Sequence, residues 1–483
     1  MLLTNQTEKN MADGTTNTGP GTATASLKQL VQLAGLPAAA ADNVEITGAD
    51  PVFPTNYKIL APGAAVIAAT GVAAADLWAL KTGRQQRVRV EGRVAAAAMR
   101  SSKYLKINGQ RPPEDPEKIT GFYQLKDGRW MYLHCNFFNL RDINLKVAGA
   151  PPEKAAVEKA VAKWDGFELE EAIVKAGGCA CFVRSEEEWL KLSQMHAVAK
   201  LPLLEIIKIG DAPPRPLPDG DRPLANVRVL DLTRVLAGPT CARTLAEHGA
   251  DVLRVTREDL ADMGTTDFDT GIGKLCTHLD LRNPAEMATM HSLISTCDVF
   301  SQSYRPGTLA GRGLGPEALA KMRPGIVYVT LSAWGHEGPW AARRGYDTIV
   351  QAANGMAWRP HNERPAFLPV SEQDYVAGYL LAYGAMVALG RRAREGGSWF
   401  VRVSLAGAGH WIRGHGLLEP AQYQNVPREL PADELKPLMV EHDSPIGRLT
   451  NLAPVVQMSE TPARWARPAV PRGFNKPEWP ARS

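Results

Sequence analysis

Between residues 227 and 405 the sequence alternates strand-like apolar runs with helix-like runs, and this alternation restricts the possible folds more than any other feature. The predicted strands are VRVLDL (227–232), ADVLRV (250–255), CDVFSQSY (297–304), IVYVTLSAW (326–334) and WFVRVSL (399–405). Strands that alternate with helices in this way form a parallel sheet with helices on its faces. The sequence therefore predicts an α/β fold, in which ligands bind at the carboxyl ends of the strands.

The rest of the chain divides by composition into flanking segments. The first 26 residues are rich in Gly, Thr and Ser without any period, which predicts a disordered tail. Five prolines within the 15 residues 210–224 predict a linker without helix or strand. The predicted units are a tail (1–45), a truncated segment resembling a large domain (46–110), a smaller α+β domain (111–209), the linker (210–224), a large domain (225–420) and a C-terminal extension (421–483).

Composition disfavours several partners and settings. The 55 basic and 51 acidic residues give a net charge of +4 without a long basic run, so nucleic acid is not an expected partner. The six cysteines form no CxxC pair, so we expect free thiols and no metal site. We find no run of about 18 apolar residues and no apolar core of a secretory signal. These features predict a cytoplasmic protein without membrane association.

The loop after the first predicted strand reads VLAGP (235–239), where dinucleotide enzymes carry GxGxxG. The absence of that pattern disfavours a nicotinamide-dependent oxidoreductase. The small residues Ala237 and Gly238 would still let a large ligand approach the backbone. A plain tight turn is the alternative interpretation of this loop.

Eight segments in one consistent order resemble the class III CoA-transferases, a family that includes formyl-CoA transferase, carnitine CoA-transferases and alpha-methylacyl-CoA racemases. The segments are VLDLTRVLAGP (229–239), LAEHGADVLRV (245–255), LDLRNP (279–284), DVFSQSYRPGTLAGRGLG (298–315), IVYVTLSAWGHEGP (326–339), RRGYDTIVQAANG (343–355), DYVAGYLLAYGAMVALGRR (374–392) and SETPARW (459–465). The resemblance implies a Rossmann-like, doubly wound large domain, a small domain and an interlocked homodimer. It also implies coenzyme A, acyl-CoA and a carboxylic acid as substrates, with no permanently bound cofactor.

The resemblance further implies a set of residues that bind coenzyme A. These residues are Val235, Ala237, Gly238, Arg257, Lys274, Tyr304, Arg305 and Arg312. Arginine suits the phosphates because its planar guanidinium donates paired hydrogen bonds. Lys274 departs from the usual glycine and arginine of the family, and Ser303 replaces the common asparagine. For each arginine alone, a solvated surface position is the alternative interpretation.

The catalytic aspartate of the family corresponds to Asp374, with Gly378 and Gly384 in register. A carboxyl group with an ordinary pKa of about 3.9 is ionised at neutral pH and can attack a thioester without a base. The resemblance implies a class 2.8.3 transfer through a mixed anhydride and an aspartyl thioester. The alternative interpretation of Asp374 is a helix N-cap, because an aspartate before an apolar helix accepts backbone N–H groups.

The residue before Asp347 separates transferases from racemases in this family. Racemases carry histidine there, since moving a proton between two faces of a carbon needs a second acid or base. Tyr346 has an ordinary pKa of about 10 and is a poor proton carrier at neutral pH, but its hydroxyl can bind a carboxylate or thioester oxygen. Transferase is therefore favoured, with Asp374 and Tyr346 as catalytic residues. His336 remains a candidate proton carrier.

The domain order is unusual, and a weak internal repeat accompanies it. Ordinary family members begin with the large domain, whereas small-domain sequence precedes it here. Residues 69–90 align with 382–403, which places Ala61 opposite Asp374. We interpret the N-terminal part as a truncated copy without the nucleophile; chance similarity of Ala-rich sequence is the alternative. A degenerate coenzyme A-binding relative without turnover is the competing functional hypothesis.

Overall fold

A computed structural model describes residues 21–112, 119–260 and 264–481 of the chain. The first of these ranges contains three helices and three short strands. They are α1 (Ala23–Leu33), β1 (Val44–Thr47), α2 (Leu60–Thr82), β2 (Val88–Glu91), α3 (Gly92–Ala98) and β3 (Lys106–Ile107).

Helix α1 and strand β1 fall within the predicted disordered tail, so that prediction is wrong for residues 23–45. The side chains of Leu27, Leu30 and Val31 are almost completely buried against the core, and this burial stabilises α1. Thr22 caps the helix by accepting a hydrogen bond from the Ala25 N–H at 3.3 Å. Residues 1–20 of the predicted tail lie outside the described residues.

Helix α2 is long and apolar enough to cross a membrane, with a mean hydropathy of 1.6 over its best 18-residue window. The prediction that the sequence holds no such segment is therefore wrong. In the structure 78% of that window is buried. The helix packs against α1 and the long helix of residues 372–395, and an apolar helix of this kind is typical of a large protein core.

A small α+β unit follows, with an antiparallel sheet in the order β4–β5–β6. Its elements are β4 (Gly121–Gln124), β5 (Trp130–Leu133), α4 (Phe138–Ala148), α5 (Lys154–Val161), α6 (Gly166–Lys175) and β6 (Ala180–Phe182). The predicted hairpin at Asp127 and Gly128 joins β4 to β5, and Gly128 adopts the positive φ of 83° that this turn requires. The unit has its own apolar cluster, which includes Tyr123, Met131 and Phe182.

Two short helices and one strand then lead to the proline-rich segment. They are α7 (Glu186–Leu190), α8 (Ser193–Lys200) and β7 (Glu205–Gly210). Residues 211–224 contain no helix or strand.

The large unit continues the alternation that the sequence predicts. Its elements are β8 (Arg228–Asp231), α9 (Ala237–Glu247), β9 (Asp251–Thr256), α10 (Thr265–Gly271), β10 (Lys274–His278), α11 (Pro284–Thr296), β11 (Val299–Gln302), α12 (Pro316–Met322), β12 (Val327–Ser332), α13 (Asp347–Ala353), α14 (Glu372–Glu395), β13 (Ser398–Ser404) and α15 (Leu405–Gly414). The seven-stranded sheet has the order β10–β9–β8–β11–β12–β13–β7. All of its strands are parallel except β7, which pairs antiparallel with β13. The predicted mixed α/β fold is confirmed.

Helices cover both faces of this sheet, because successive side chains of a strand point to opposite faces. One face packs with α9 and α14 through Val229, Val252, Val299 and Val327. The other face packs with α11 and α12 through Leu230, Leu253, Phe300 and Tyr328. The chain proceeds from β8 to β9 on one side and returns to β11 on the other, so a crevice forms at the carboxyl end of β8.

The C-terminal residues add two short helices and three strands. They are α16 (Pro420–Tyr423), α17 (Ala432–Leu435), β14 (Met439–Ser444), β15 (Gly447–Leu452) and β16 (Gln457–Met458). Strand β15 pairs with β3, and β16 pairs with β2 beside β1. The predicted C-terminal extension therefore joins the N-terminal segment through two separate sheets.

Candidate active site

A cavity of about 640 Å³ opens at the carboxyl ends of the central strands, where the α/β fold predicts a ligand. Seven of the ten predicted site residues line it. They are Val235, Ala237, Arg257, Tyr304, Arg305, Tyr346 and Asp374. The cavity therefore brings together residues that lie up to 139 positions apart in the chain.

Three predicted coenzyme A-binding residues do not line the cavity: Gly238, Arg312 and Lys274. A Cβ on Gly238 would lie 2.4 Å from the Thr233 Cβ, so this glycine makes room for a neighbouring side chain and not for a ligand. Arg312 is exposed elsewhere and donates to the Leu281 carbonyl at 3.3 Å.

Lys274 has no exposed side-chain surface, so the prediction that it contacts coenzyme A is wrong. Its ammonium group lies 2.8 Å from an Asp231 carboxylate oxygen and donates to the Pro239 carbonyl at 2.9 Å. The lysine thereby ties the end of β8 to the first turn of α9. A buried ion pair of this kind is a structural element, because removing one partner leaves an uncompensated charge.

Asp374 lies in the first turn of α14, two residues after the helix begins. Its backbone N–H donates to the Asp347 Oδ2 at 3.1 Å. The N-cap is Ser371, so the interpretation of Asp374 as an N-cap is wrong. Within the described part of the chain, the Asp374 carboxyl group has no hydrogen-bond or ion-pair partner, although the residue is only 7% exposed.

Burial raises the pKa of Asp374 well above its ordinary value, and the nearby Asp347 carboxyl group raises it further. Burial also raises the pKa of Asp347, while hydrogen bonds from Gln351 and from the backbone of Asp374 and Gln373 act in the opposite direction. The premise that Asp374 has an ordinary pKa is therefore wrong for the ligand-free site. The hydrogen bonds to Asp347 stabilise its ionised form, whereas the Asp374 carboxyl group has no such stabilisation among the described residues.

The Tyr346 ring stacks on the His134 ring with centroids 4.1 Å apart. His134 comes from the small α+β unit, and burial lowers its pKa to about 3, so it remains a neutral ring. Burial raises the pKa of Tyr346 above its ordinary value, which keeps the phenol protonated. Tyr346 is thus a rigid hydrogen-bond donor at the cavity wall.

The loop between β8 and α9 contains strained backbone at the cavity wall. Val235 has a φ of 72°, which is unfavourable for a β-branched residue and costs on the order of 1–3 kcal/mol. The neighbouring Arg234 N–H donates to the Ser303 hydroxyl oxygen at 3.3 Å, which holds the loop against the end of β11. The Ser303 hydroxyl therefore has a structural contact in this loop.

The cavity also contains positive charges that the sequence analysis missed. Arg234 and Arg344 line it, although only Arg257 and Arg305 were predicted. Arg257 forms an ion pair with Asp259, whereas Arg305 is exposed and has no ion pair with any described residue. Arg234 directly precedes the VLAGP loop (235–239), and Arg344 lies two residues before Tyr346. Their positions beside these motifs could therefore have predicted that they line the cavity.

The small α+β unit closes one side of the cavity. Its lining residues are Phe137, Phe138, Asn139 and Leu140, at the start of α4. No motif in the sequence pointed to them. His336, by contrast, lines a smaller neighbouring cavity beside Glu205 and not the one that contains Asp374, so it is not positioned as a proton carrier for that residue.

An α/β sheet with a carboxyl group and several arginines at the carboxyl ends of its strands is suited to binding an anionic ligand. Residues 224–437 match the model of CoA-transferase family III. The predicted resemblance to class III CoA-transferases is therefore confirmed over this part of the chain.

Several known proteins are similar to part of this chain. The acetyl-coenzyme A transferase nodX of Hypoxylon pulicicidum is 31% identical over 320 residues, which cover 61% of this chain and 54% of that protein. The succinyl-CoA:glutarate CoA-transferase of Mus musculus is 35% identical over 208 residues, which cover 40% and 48%. The crystal structure of Rv3272 from Mycobacterium tuberculosis is 30% identical, covers 40% of this chain and 57% of its own, and has a TM-score of 0.38. The chain spans about half the length of these two curated relatives.

The two arginines of the SYRPG region provide a matched test of the cavity as the coenzyme A site. Arg305→Ala should weaken coenzyme A binding, because a hydrogen bond to a charged group is worth about 1.5–3 kcal/mol, or roughly tenfold or more in Kd. Arg312→Ala should leave Kd unchanged, since Arg312 lies outside the cavity. Isothermal titration calorimetry measures both. Equal effects of the two substitutions would contradict the placement.

Proposed function

We propose that the protein transfers coenzyme A between an acyl-CoA and a carboxylic acid through covalent intermediates on Asp374, a reaction of class 2.8.3. One observation carries the proposal: an unpartnered aspartate carboxyl group opens into a cavity that also contains four arginines. The family membership of residues 224–437 supports the same chemistry. A degenerate relative without turnover would have no need to keep this carboxyl group unpartnered at the cavity wall.

The proposed reaction balances without a metal or redox cofactor. The Asp374 carboxylate attacks the acyl-CoA carbonyl, the C–S bond breaks, and a mixed anhydride and the coenzyme A thiolate form. The thiolate attacks the aspartyl carbonyl, which releases the first carboxylate and leaves an aspartyl thioester. The acceptor carboxylate then attacks the aspartyl thioester, which releases the thiolate and forms a second mixed anhydride. The thiolate attacks the acceptor's carbonyl in this anhydride, which gives the new acyl-CoA and restores the Asp374 carboxylate.

Asp374 must be ionised to attack, although burial favours its neutral form. We propose that Arg234, Arg305 and Arg344, which line the same cavity, bind the anionic groups of the substrates beside Asp374. A partly desolvated carboxylate is also a stronger nucleophile than one surrounded by water. We therefore propose that the ionised fraction of Asp374 is the form that attacks the thioester.

We propose that Tyr346 stabilises the oxyanion that develops on the thioester carbonyl. A raised pKa keeps its hydroxyl proton in place, and the stack on His134 fixes the ring. A preorganised donor directed at developing charge lowers the barrier without reorganisation during the reaction. The same protonated phenol is unsuited to removing an α-proton, which favours transferase over racemase.

Several finer expectations also belong to this proposal. Numbering the parallel strands β8–β13 as 1–6 gives the order 3-2-1-4-5-6, which supports a Rossmann-like, doubly wound sheet. The mouse relative's name includes two short dicarboxylic acids, and the cavity arginines suit a second carboxylate. We propose short dicarboxylic acids as the first acceptors to assay. The homodimer, the cytoplasmic setting and the absence of membrane association remain predictions from the sequence.

Replacing the nucleophile should abolish transfer without unfolding the protein. Asp374→Asn keeps the backbone N–H that Asp347 accepts, but its neutral amide cannot attack a thioester, so kcat should fall at least about 10³-fold. Asp259→Asn is a matched control, because Asp259 lines the same cavity beside Arg257. This control should change KM for the acyl-CoA and retain kcat. Substantial transfer by Asp374→Asn would exclude Asp374 as the nucleophile.

The racemase alternative predicts a different product. With a 2-methyl-branched acyl-CoA in heavy water, the proposed transferase should introduce no deuterium at the α-carbon, because Tyr346 remains protonated and His134 lies outside the cavity. Mass spectrometry of the recovered thioester measures the exchange. Enzyme-dependent deuterium uptake that Tyr346→Phe abolishes would assign the protein to the racemase branch.

A further inference from the structure

The elements around Asp374 occur a second time in the N-terminal part of the chain. Around Asp374 the order is β12, α13, α14, β13 and α15, and near the N-terminus it is β1, α2, β2 and α3, without a counterpart of α13 among the described residues. The two strands of each set pair in parallel with a long helix between them. The two long helices, α2 and α14, pack against each other in the centre of the molecule.

The middle of each long helix contains a glycine with the same contacts. A Cβ on Gly71 would lie 2.5 Å from a Val88 methyl group, and a Cβ on Gly384 would lie 2.7 Å from a Val401 methyl group. The two glycines are separated along the chain by the same interval as the two valines. Each glycine therefore lets its helix approach the strand that follows it.

The carboxyl ends of the two helices also match. Gly83 and Gly396 end α2 and α14, and both have a φ of 73°. Their N–H groups donate to the carbonyls of Ala79 and Arg392, which again lie at the same interval. Only Gly83 adopts the left-handed conformation that commonly ends a helix, with a ψ of 0°, whereas Gly396 has a ψ of −159°. The two ends therefore match in the glycine, the hydrogen bond and the spacing, and not in ψ.

The amino ends of the helices match at the position that matters for catalysis. Asp50 Oδ2 accepts the N–H of Ala61 at 3.0 Å, as Asp347 Oδ2 accepts the N–H of Asp374 at 3.1 Å. Ala61 therefore occupies the place of the nucleophile in the N-terminal set. This hydrogen bond does not depend on alanine-rich composition, so chance similarity does not explain the match.

The sheet of each set is completed by an antiparallel edge strand from the other half of the chain. Strand β7 follows the small α+β unit and pairs antiparallel with β13, whereas β16 follows α15 and pairs antiparallel with β2. The residues just before these edge strands contact the glycines. A Cβ on Gly71 would lie 2.8 Å from Val456, and one on Gly384 would lie 2.9 Å from Leu204.

We propose that residues 21–210 and 225–458 are two incomplete copies of one unit, which exchange edge strands within a single chain and form one working active site. The second copy supplies Asp374, and the first copy supplies the small α+β unit that closes the cavity through Phe137 to Leu140. In the first copy, alanine at position 61 replaces the nucleophile. Among the described residues, that copy has no counterpart of strands β8–β11. A second subunit is then not needed to complete the cavity. The statement that the site at Asp374 is catalytic rests on the proposed function, whereas the two copies and their exchanged strands do not.

Reciprocal substitutions test the exchange. Gly71→Ala should accelerate amide hydrogen exchange about tenfold or more in β16, because the added methyl group displaces Val456 from its contact. Gly384→Ala should do the same in β7 through Leu204. Gly311→Ala is the matched control, since nothing lies within 4 Å of a Cβ there. Peptide-level mass spectrometry measures the amide hydrogen exchange of all three variants. This measurement does not depend on transferase activity. Faster exchange confined to the helix that carries each substitution would overturn the proposal.

Cleavage of the linker gives a second measurement that does not depend on the glycine variants. A protease site inserted between the exposed residues Asp219 and Gly220 would separate the two copies covalently. The fragments should remain bound at one-to-one stoichiometry until urea unfolds both, because each contributes a strand to the other's sheet. Separation of the fragments before unfolding would contradict the exchange. Loss of transferase activity in a cleaved but associated protein would count against the proposed function alone.

Discussion

The site depends on one hydrogen bond, from the Asp374 backbone N–H to the Asp347 side chain. It fixes the first turn of α14 against the loop that carries Tyr346, so the proposed nucleophile and the proposed oxyanion donor are held at a fixed distance from each other. The carboxyl group of Asp374 stays available, because the backbone and not the side chain makes this contact. Other buried groups maintain the arrangement: Lys274 ties β8 to α9 through Asp231, and Arg392 on α14 pairs with Asp298 at 3.0 Å.

Acidic groups are buried at the start of α14, and this burial disfavours their ionised forms. Glu372 is completely buried and neither of its carboxyl oxygens has a hydrogen-bond partner. Burial raises its pKa well above the ordinary value, and the nearby carboxyl groups of Asp50 and Asp347 add to the effect. A neutral Glu372 next to the helix start avoids a third negative charge beside Asp374. The raised pKa of Glu372 therefore limits the negative charge that accumulates around Asp374.

The sequence predicted the central sheet and much of the cavity, because strand and loop signals are local. Seven of the ten predicted site residues line one cavity, since parallel strands bring their carboxyl ends to the same edge. The errors arose where contacts between residues distant in the sequence determine the position of a side chain or the stability of a helix. Lys274 was placed with the ligand by the family resemblance, which did not show that its ammonium group pairs with the buried Asp231. Helix α1 was missed because burial, and not propensity, stabilises it. The contribution of Phe137 and its neighbours could not be predicted, since it requires the small α+β unit to fold back on the large sheet.

The covalent intermediate is tested most directly by trapping it. The protein is incubated with an acyl-CoA and quenched with hydroxylamine, which converts an aspartyl anhydride or thioester to a stable hydroxamate, and peptides are mapped by mass spectrometry. The account predicts a hydroxamate on Asp374 that requires acyl-CoA and is absent from Asp374→Asn. A hydroxamate on a different residue, or turnover with no modification of Asp374, would contradict the account.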